Sequence, residues 1–199
     1  MAIYTKLIPT EDIEAVIKVH NSAFKGFFLT GLGSDFLKIY YISVAKAPDG
    51  ILIGAYRDNE LIGFCAACTM SAGFNSRLIK DNILNFSRIG LMLLFTKSKA
   101  LLRLAKNLTK KGSVTDKGDY AELMSIAVDK KIQNVGAGKA MIDYLEETLR
   151  RRGIMRLSLT TDHDDNEATL AFYTKRGFKP MYEFITYPNR KMYRLIKEL

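Results

Sequence analysis

The stretch that most constrains this chain is Gln133-Asn134-Val135-Gly136-Ala137-Gly138-Lys139. An apolar run, Ala121 to Val128, leads into it, and a pattern of helical period, Gly136 to Arg152, leads out. The spacing therefore predicts a strand, a glycine-bearing turn and a helix. The first turn of such a helix has main-chain N–H groups without intrahelical partners and carries the positive end of the helix dipole. Glycines there let a ligand's atoms come against the backbone, so the turn is suited to an anion, phosphate above all. Two phosphate motifs are excluded by position. A P-loop needs Gly where Gln133 stands and Ser or Thr where Ala140 stands, and a dinucleotide fingerprint needs a small residue where Met141 stands.

Around this stretch the chain alternates strand and helix patterns. Ile3 to Ile8 reads as a strand, and Thr10-Glu11-Asp12-Ile13 as an N-cap opening a helix to about Phe24, with Ile13, Val16, Ile17 and His20 on one face. Phe27 to Gly33 reads as a loop and Asp35 to about Val44 as a helix. Gly50–Tyr56 and Glu60–Met70 are strands joined by the turn residues Asp58 and Asn59. After an insert come a strand (119–128), the glycine turn and its helix, a strand (154–160), a helix from Asn166 to Arg176 ended by Gly177, and a closing hairpin, 178–185 with 191–196. This order predicts an α/β fold, a mixed, mostly antiparallel central sheet flanked by helices with a basic helical insertion, in one domain over residues 1–199.

Gln133-x-x-Gly136-x-Gly138 resembles the acetyl-coenzyme A pyrophosphate loop of the GNAT N-acetyltransferase superfamily. A second segment, Asn166-Glu167-Ala168-Thr169-Leu170-Ala171-Phe172-Tyr173-Thr174-Lys175-Arg176-Gly177-Phe178, resembles that family's Asn-x-x-Ala…Phe-Tyr-x-Lys-x-Gly-Phe motif, and a strand separates the two as it should. The resemblance extends over about Ile3 to Ile196, the insert excepted.

The resemblance implies an acetyl-coenzyme A-dependent N-acetyltransferase working by direct attack of an amine on the thioester. The diphosphate would lie on the amides of Val135, Gly136, Ala137, Gly138 and Lys139, with side-chain contacts from Gln133 and Lys139 and a place beside Asn134. The strand from Met124 through Ile126, Ala127 and Val128 would pair with the pantetheine arm and polarise the acetyl carbonyl. Asn166, Ala168, Phe172, Tyr173 and Lys175 belong to the same cofactor wall. Tyr173 matches the family's general acid, which protonates the departing thiolate. Glu122 stands where many relatives carry a carboxylate base, often acting through a water. The stretch from His20 to Thr30 lies where the family frames its acceptor, with Phe27 and Phe28 as rings that could stack on a sugar or base or equally fill the core. Asp162 is within reach of an amine, while Asp164 and Asp165 are explained by helix capping.

Charge is local. Of a net +9 for the chain, the insert at 75–112 supplies +8, with nine basic residues and only Asp81 acidic. Leu101, Leu104, Ala105 and Leu108 would mark one helix face with Arg103, Lys106 and Lys110 largely off it, and a second helical stretch is expected from about Arg77 to Phe95. The stretch reads as a solvated flap, as an attractor for an anionic acceptor or cofactor, or as a contact to an anionic membrane surface. Nucleic acid is not expected, because no stacking aromatics interleave with the lysines.

The acceptor expected is a small-molecule amine, nucleotide-linked amino sugars leading. The alternatives are a protein N-terminus or lysine, and a non-catalytic acyl-coenzyme A-binding module docked on a membrane. A homodimer is compatible with the sequence. Cys65 and Cys68 share a strand three residues apart and so point to opposite faces, which leaves them as structural thiols and predicts no metal site. Without a signal peptide pattern or an apolar run of ~18 residues, the expected location is cytoplasmic.

Overall fold

The structure, a computed structural model, describes residues 2–96, 116–132, 135–186 and 189–199, with the side chains of Phe28, Leu94 and Thr96 excepted. Seven strands form one sheet: β1 (Tyr4–Leu7), β2 (Gly50–Arg57), β3 (Glu60–Cys68), β4 (Ala121–Val128), β5 (Arg156–Asp162), β6 (Lys179–Thr186) and β7 (Arg190–Glu198). They lie in the order β1-β2-β3-β4-β5-β7-β6. Every pairing is antiparallel except β4 with β5. The β2–β3 turn has Asp58 and Asn59 at φ 53° and 64°, the left-handed pair that a tight two-residue hairpin requires.

Alternation along the strands feeds two cores. Ile51, Ile53, Cys65, Ala121, Leu123, Leu157 and Leu159 face the helices α6 (Ala137–Arg151) and α7 (Glu167–Lys175). Met141, Ile142, Leu145 and Leu149 recur at helical spacing on α6 and fill that layer. Leu52, Phe64, Ala66, Cys68 and Ala127 face the opposite side, beneath α1 (Ile13–Ala23), α3 (Ser34–Lys46) and α4 (Phe74–Asp81). Cys65 and Cys68 thus fall in different cores, both free and buried. Glu146 is buried in α6 but lies 2.6 Å from Lys197 and 3.4 Å from Arg150, which offset the cost of its desolvated charge.

Three local expectations are corrected. Thr10 does not cap a helix: Thr10–Asp12 form a 3₁₀ turn, with no side-chain cap, before α1 begins. Residues 27–33 are not all loop, for Phe28–Leu32 close one helical turn, α2, that ends at Gly33 with φ 99°. The helix expected from Arg77 to Phe95 is two, α4 and α5 (Ile83–Thr96), broken at Asn82, whose side-chain amide donates to the Leu78 carbonyl at 3.0 Å and turns the chain. On α5, Ile89 and Leu93 pack against Leu32 and Phe36. The basic positions Lys97, Lys99, Arg103, Lys106, Lys110 and Lys111 lie outside the described residues, as do Gln133, Asn134 and the hairpin residues 187–188.

Candidate active site

β4 and β5 pair only from Ala121 to Leu123 and then part. The β4–β3 register slips between Ala66 and Ala67, leaving Met124 as an extra residue on β4. Such a bulge bends its strand, while β5 stays in register with β7 as far as Asp162. Among the described residues, no strand pairs with the β5-side edge of β4 from Met124 to Val128. A cleft of about 860 Å³ occupies the gap, walled by residues from both faces of the sheet.

On one side the wall is made by the turn and first residues of α6 and by α7. Gly136 has φ 82°, which a side chain would strain, and a Cβ there would meet no atom within 4 Å. The first intrahelical bond runs from Ala140 N–H to the Gly136 carbonyl, so the amides of Ala137, Gly138 and Lys139 precede the helix's own ladder and line the cleft. Lys139 is exposed and paired with Asp143 at 2.9 Å. Asn166 ties the end of β5 to the start of α7, its side-chain amide donating to Thr161 Oγ1 at 2.7 Å and to the Asp162 carbonyl at 2.9 Å. Ala168, Phe172 and Tyr173 continue this wall. Tyr173 is buried, T-shaped against Phe172 and Phe178, and burial raises its phenol above the ordinary range so that it holds its proton. A β4 edge and first-turn amides without partners among the described residues, beside an open glycine turn, fit an extended amide chain ending in a diphosphate.

On the other side stand His20 of α1, Phe24 just past its end, Phe27, Leu29 of α2, and Arg190 and Met192 of β7. Arg190 clamps Asp162 through two hydrogen bonds and lies over the Phe27 ring at 5.3 Å. His20 is 2% exposed; its Nδ1 is 2.7 Å from the Tyr41 hydroxyl, and its Nε2 has no hydrogen-bond partner among the described residues. Burial lowers its imidazole to about 4.

The structure brings Ile126, Ala127, Val128, Val135, Gly136, Ala137, Gly138, Lys139, Asn166, Ala168, Phe172 and Tyr173 together on this cleft, with Phe27 and Asp162 across from them. It does not bring Lys175, which is exposed and off the wall. Asp162 is committed to Arg190 rather than open to an amine. Glu122 is also off the wall: Arg194 lies 2.6 Å from its Oε1, and Ser71 Oγ donates to its Oε2. Phe28 opens α2, and only its backbone is described. His20 and Phe24 stand in the stretch expected to frame the acceptor, without a role assigned to either; Arg190, Met192 and Thr160 were not among the residues expected here. The signal for His20 was a polar ring on an otherwise apolar helix face; the β5 and β7 residues gave none. Among the described residues no group of three metal-ligating side chains assembles, and no helix is long and apolar enough to cross a membrane.

The profile of the acetyltransferase (GNAT) family matches residues 13–178. Among curated proteins, uncharacterized protein YxbD of Bacillus subtilis (strain 168) is 43% identical over 61 residues, 31% of this chain and 36% of that one. The [ribosomal protein bS18]-alanine N-acetyltransferase of Escherichia coli (strain K12) is 38% identical over 60 residues, 30% of this chain and 40% of that enzyme. The matches thus span well under half of these relatives. Among solved structures, the PaiA N-acetyltransferase of Thermoplasma acidophilum, in complex with coenzyme A, aligns over 100% of both chains with a TM-score of 0.62 at 17% identity, a likeness of fold.

Proposed function

We propose that this chain, which belongs to the acetyltransferase (GNAT) family, moves an acetyl group from acetyl-coenzyme A to a small primary amine. The observation that carries the reading is the parting of β4 from β5 beside an unobstructed glycine turn. Acetyl-coenzyme A is the donor substrate. The β4 edge at Ile126 to Val128 holds its amide arm, and the amides of Val135 to Lys139 hold its diphosphate. Main-chain donors fixed in this way are suited to the negative charge that grows on the carbonyl oxygen.

Tyr173 gives a proton to the departing sulfur. A thiol of pKa ~8.5 is a good leaving group and needs only modest help, which the Tyr173 hydroxyl gives even though burial makes it a weaker acid. Glu122 acts at one remove, through a water, because each of its oxygens already accepts a hydrogen bond. It draws the first proton from an ammonium acceptor before attack.

The acceptor enters between His20, Phe27 and Met192. The half-exposed Phe27 ring, with Arg190 above it, favours a flat or ring-bearing amine, a nucleotide-linked amino sugar in the leading case. The basic 75–112 stretch supports an anionic acceptor. A second reading, acetylation of a protein N-terminus, is favoured by the 38% identity over 60 residues to a ribosomal-protein alanine N-acetyltransferase. The test is free-thiol release from acetyl-coenzyme A against nucleotide amino sugars, free amino sugars, polyamines and peptides. Turnover on the small amines supports the first reading, and turnover on peptides alone replaces it with the second. Coenzyme A binding without any turnover would leave an acyl-coenzyme A-binding module.

A further inference from the structure

We infer that His20 is a catalytic residue, its Nε2 taking the proton that the acceptor nitrogen sheds as the amide bond forms. The inference rests on the N-acetyltransferase reading and adds to it a residue outside the expected machinery.

His20 shares a face of α1 with Ile13, Val16 and Ile17, positions that pack into the core. Its ring is held on three sides. Phe24 tilts against it at 4.8 Å, Phe64 of β3 stacks at 6.2 Å, and Tyr41 of α3 meets it edge-on and takes Nδ1 at 2.7 Å. The remaining nitrogen, Nε2, is buried without a hydrogen-bond partner among the described residues, and the ring forms part of the cleft wall. A buried polar atom left unmatched costs about 1–3 kcal/mol. A phenylalanine or leucine would fill the same space on this helix face without that penalty. Nε2 itself has no contact with solvent, so a ligand's N–H in the cleft matches it once the ring turns toward the cleft.

With the Tyr41 oxygen accepting from Nδ1–H across their 2.7 Å contact, the lone pair lies on Nε2. Burial keeps the imidazole neutral near pH 7, so the lone pair is available.

An ammonium acceptor must lose two protons. The first leaves before attack, through water to Glu122 and on to solvent. The neutral nitrogen then bonds to the acetyl carbon and becomes positively charged, and it grows more acidic as that bond forms. A weakly basic imidazole suffices for this second proton, which passes to Nε2. The C–S bond breaks with its electron pair on sulfur, and Tyr173 protonates the sulfur. Solvent takes the proton from His20 and returns one to Tyr173, so the net products are the amide, the free thiol and the one proton released to solvent before attack.

Kinetics, coenzyme A calorimetry and thermal melting of the parent, His20→Gln and Tyr41→Phe test this. The glutamine variant keeps a polar acceptor but no protonatable nitrogen. Its kcat is expected to fall about 10²-fold, the range of general-base effects, with coenzyme A affinity unchanged. Tyr41→Phe keeps the imidazole and frees its tautomer: kcat is expected to fall several-fold, and imidazole ¹⁵N NMR to change from one neutral tautomer to a mixture. Parental kcat in a folded His20→Gln protein overturns the role of His20 and leaves the acetyltransferase reading standing. No turnover by the parent on any amine overturns that reading, and the role of His20 with it. Should His20→Gln not fold, an unaltered kcat and a single tautomer in Tyr41→Phe overturn the role instead.

Discussion

The Arg194 guanidinium reaches from β7 across β5 and lies 2.6 Å from Oε1 of Glu122, the second residue of β4. Ser158 of β5 lies beneath, 3.4 Å from the same nitrogen. The pair is mostly buried, with side chains 14% and 19% exposed. Removing one partner leaves the other's charge without compensation, whereas removing both need not.

Glu122→Gln should therefore lower stability by about 2–3 kcal/mol, near the lower end for a broken buried pair because some water reaches this one. It should also move the acid limb of the pH–rate profile. The double variant Glu122→Gln/Arg194→Met should regain most of the melting temperature but not the parental profile. Recovery of both would remove Glu122 from the reaction and leave it a purely structural carboxylate.

Tyr173→Phe keeps the ring that packs on Phe172 and Phe178 and deletes only the hydroxyl. The expected result is a kcat lower by about 10²-fold with coenzyme A affinity held. The loss should shrink with an acyl donor whose thiol is more acidic, because such a leaving group needs less protonation. A loss that stays equal for every donor would mean that Tyr173 shapes the wall rather than protonates the sulfur.

Gly136→Ala separates backbone strain from crowding, since φ is 82° there and no neighbour would meet the new methyl. Stability should drop by about 1 kcal/mol, and the KM for acetyl-coenzyme A should rise more than that for the amine. Equal change in the two constants would detach this turn from the diphosphate.

His20 also gives the fold a pH dependence. Its imidazole goes from 6.5 when unfolded to about 4 when folded, because burial disfavours the charged form. Between those values the unfolded chain binds a proton that the folded chain refuses, so stability is full above 6.5 and falls as pH drops toward 4. The drop amounts to about 3 kcal/mol at most. Urea unfolding of the parent and of a folded His20→Gln protein should show this slope in the first and its loss in the second.

Much of this arrangement is legible in the sequence because it is local. Gly177 stops α7 with φ 89°, its amide donating to Thr174 and that of Phe178 to Tyr173, as a helix-ending glycine next to a buried aromatic announces. The glycine turn before α6 and the alternation along β2 and β3 are equally local. What escaped is of another kind. Arg190 meets Asp162 from 28 residues away and Arg194 meets Glu122 from 72. Both meetings depend on the β5–β7 register, which no periodicity within one strand encodes. Asn82 interrupts a stretch whose apolar spacing runs on through it, so the break depends on one side chain turning back on its own helix.

Because the bulge at Met124 opens the sheet to both of its faces, two reactants can be in place at once without sharing a doorway. On the proposed reading the coenzyme passes α6 and α7, the amine passes α1 and β7, and the two paths meet at the cleft. Each substrate can then come and go while the other stays. Double-reciprocal plots for such a catalyst form intersecting families rather than parallel ones, and a single molecule that joins the two substrates would thread the sheet and hold both doors.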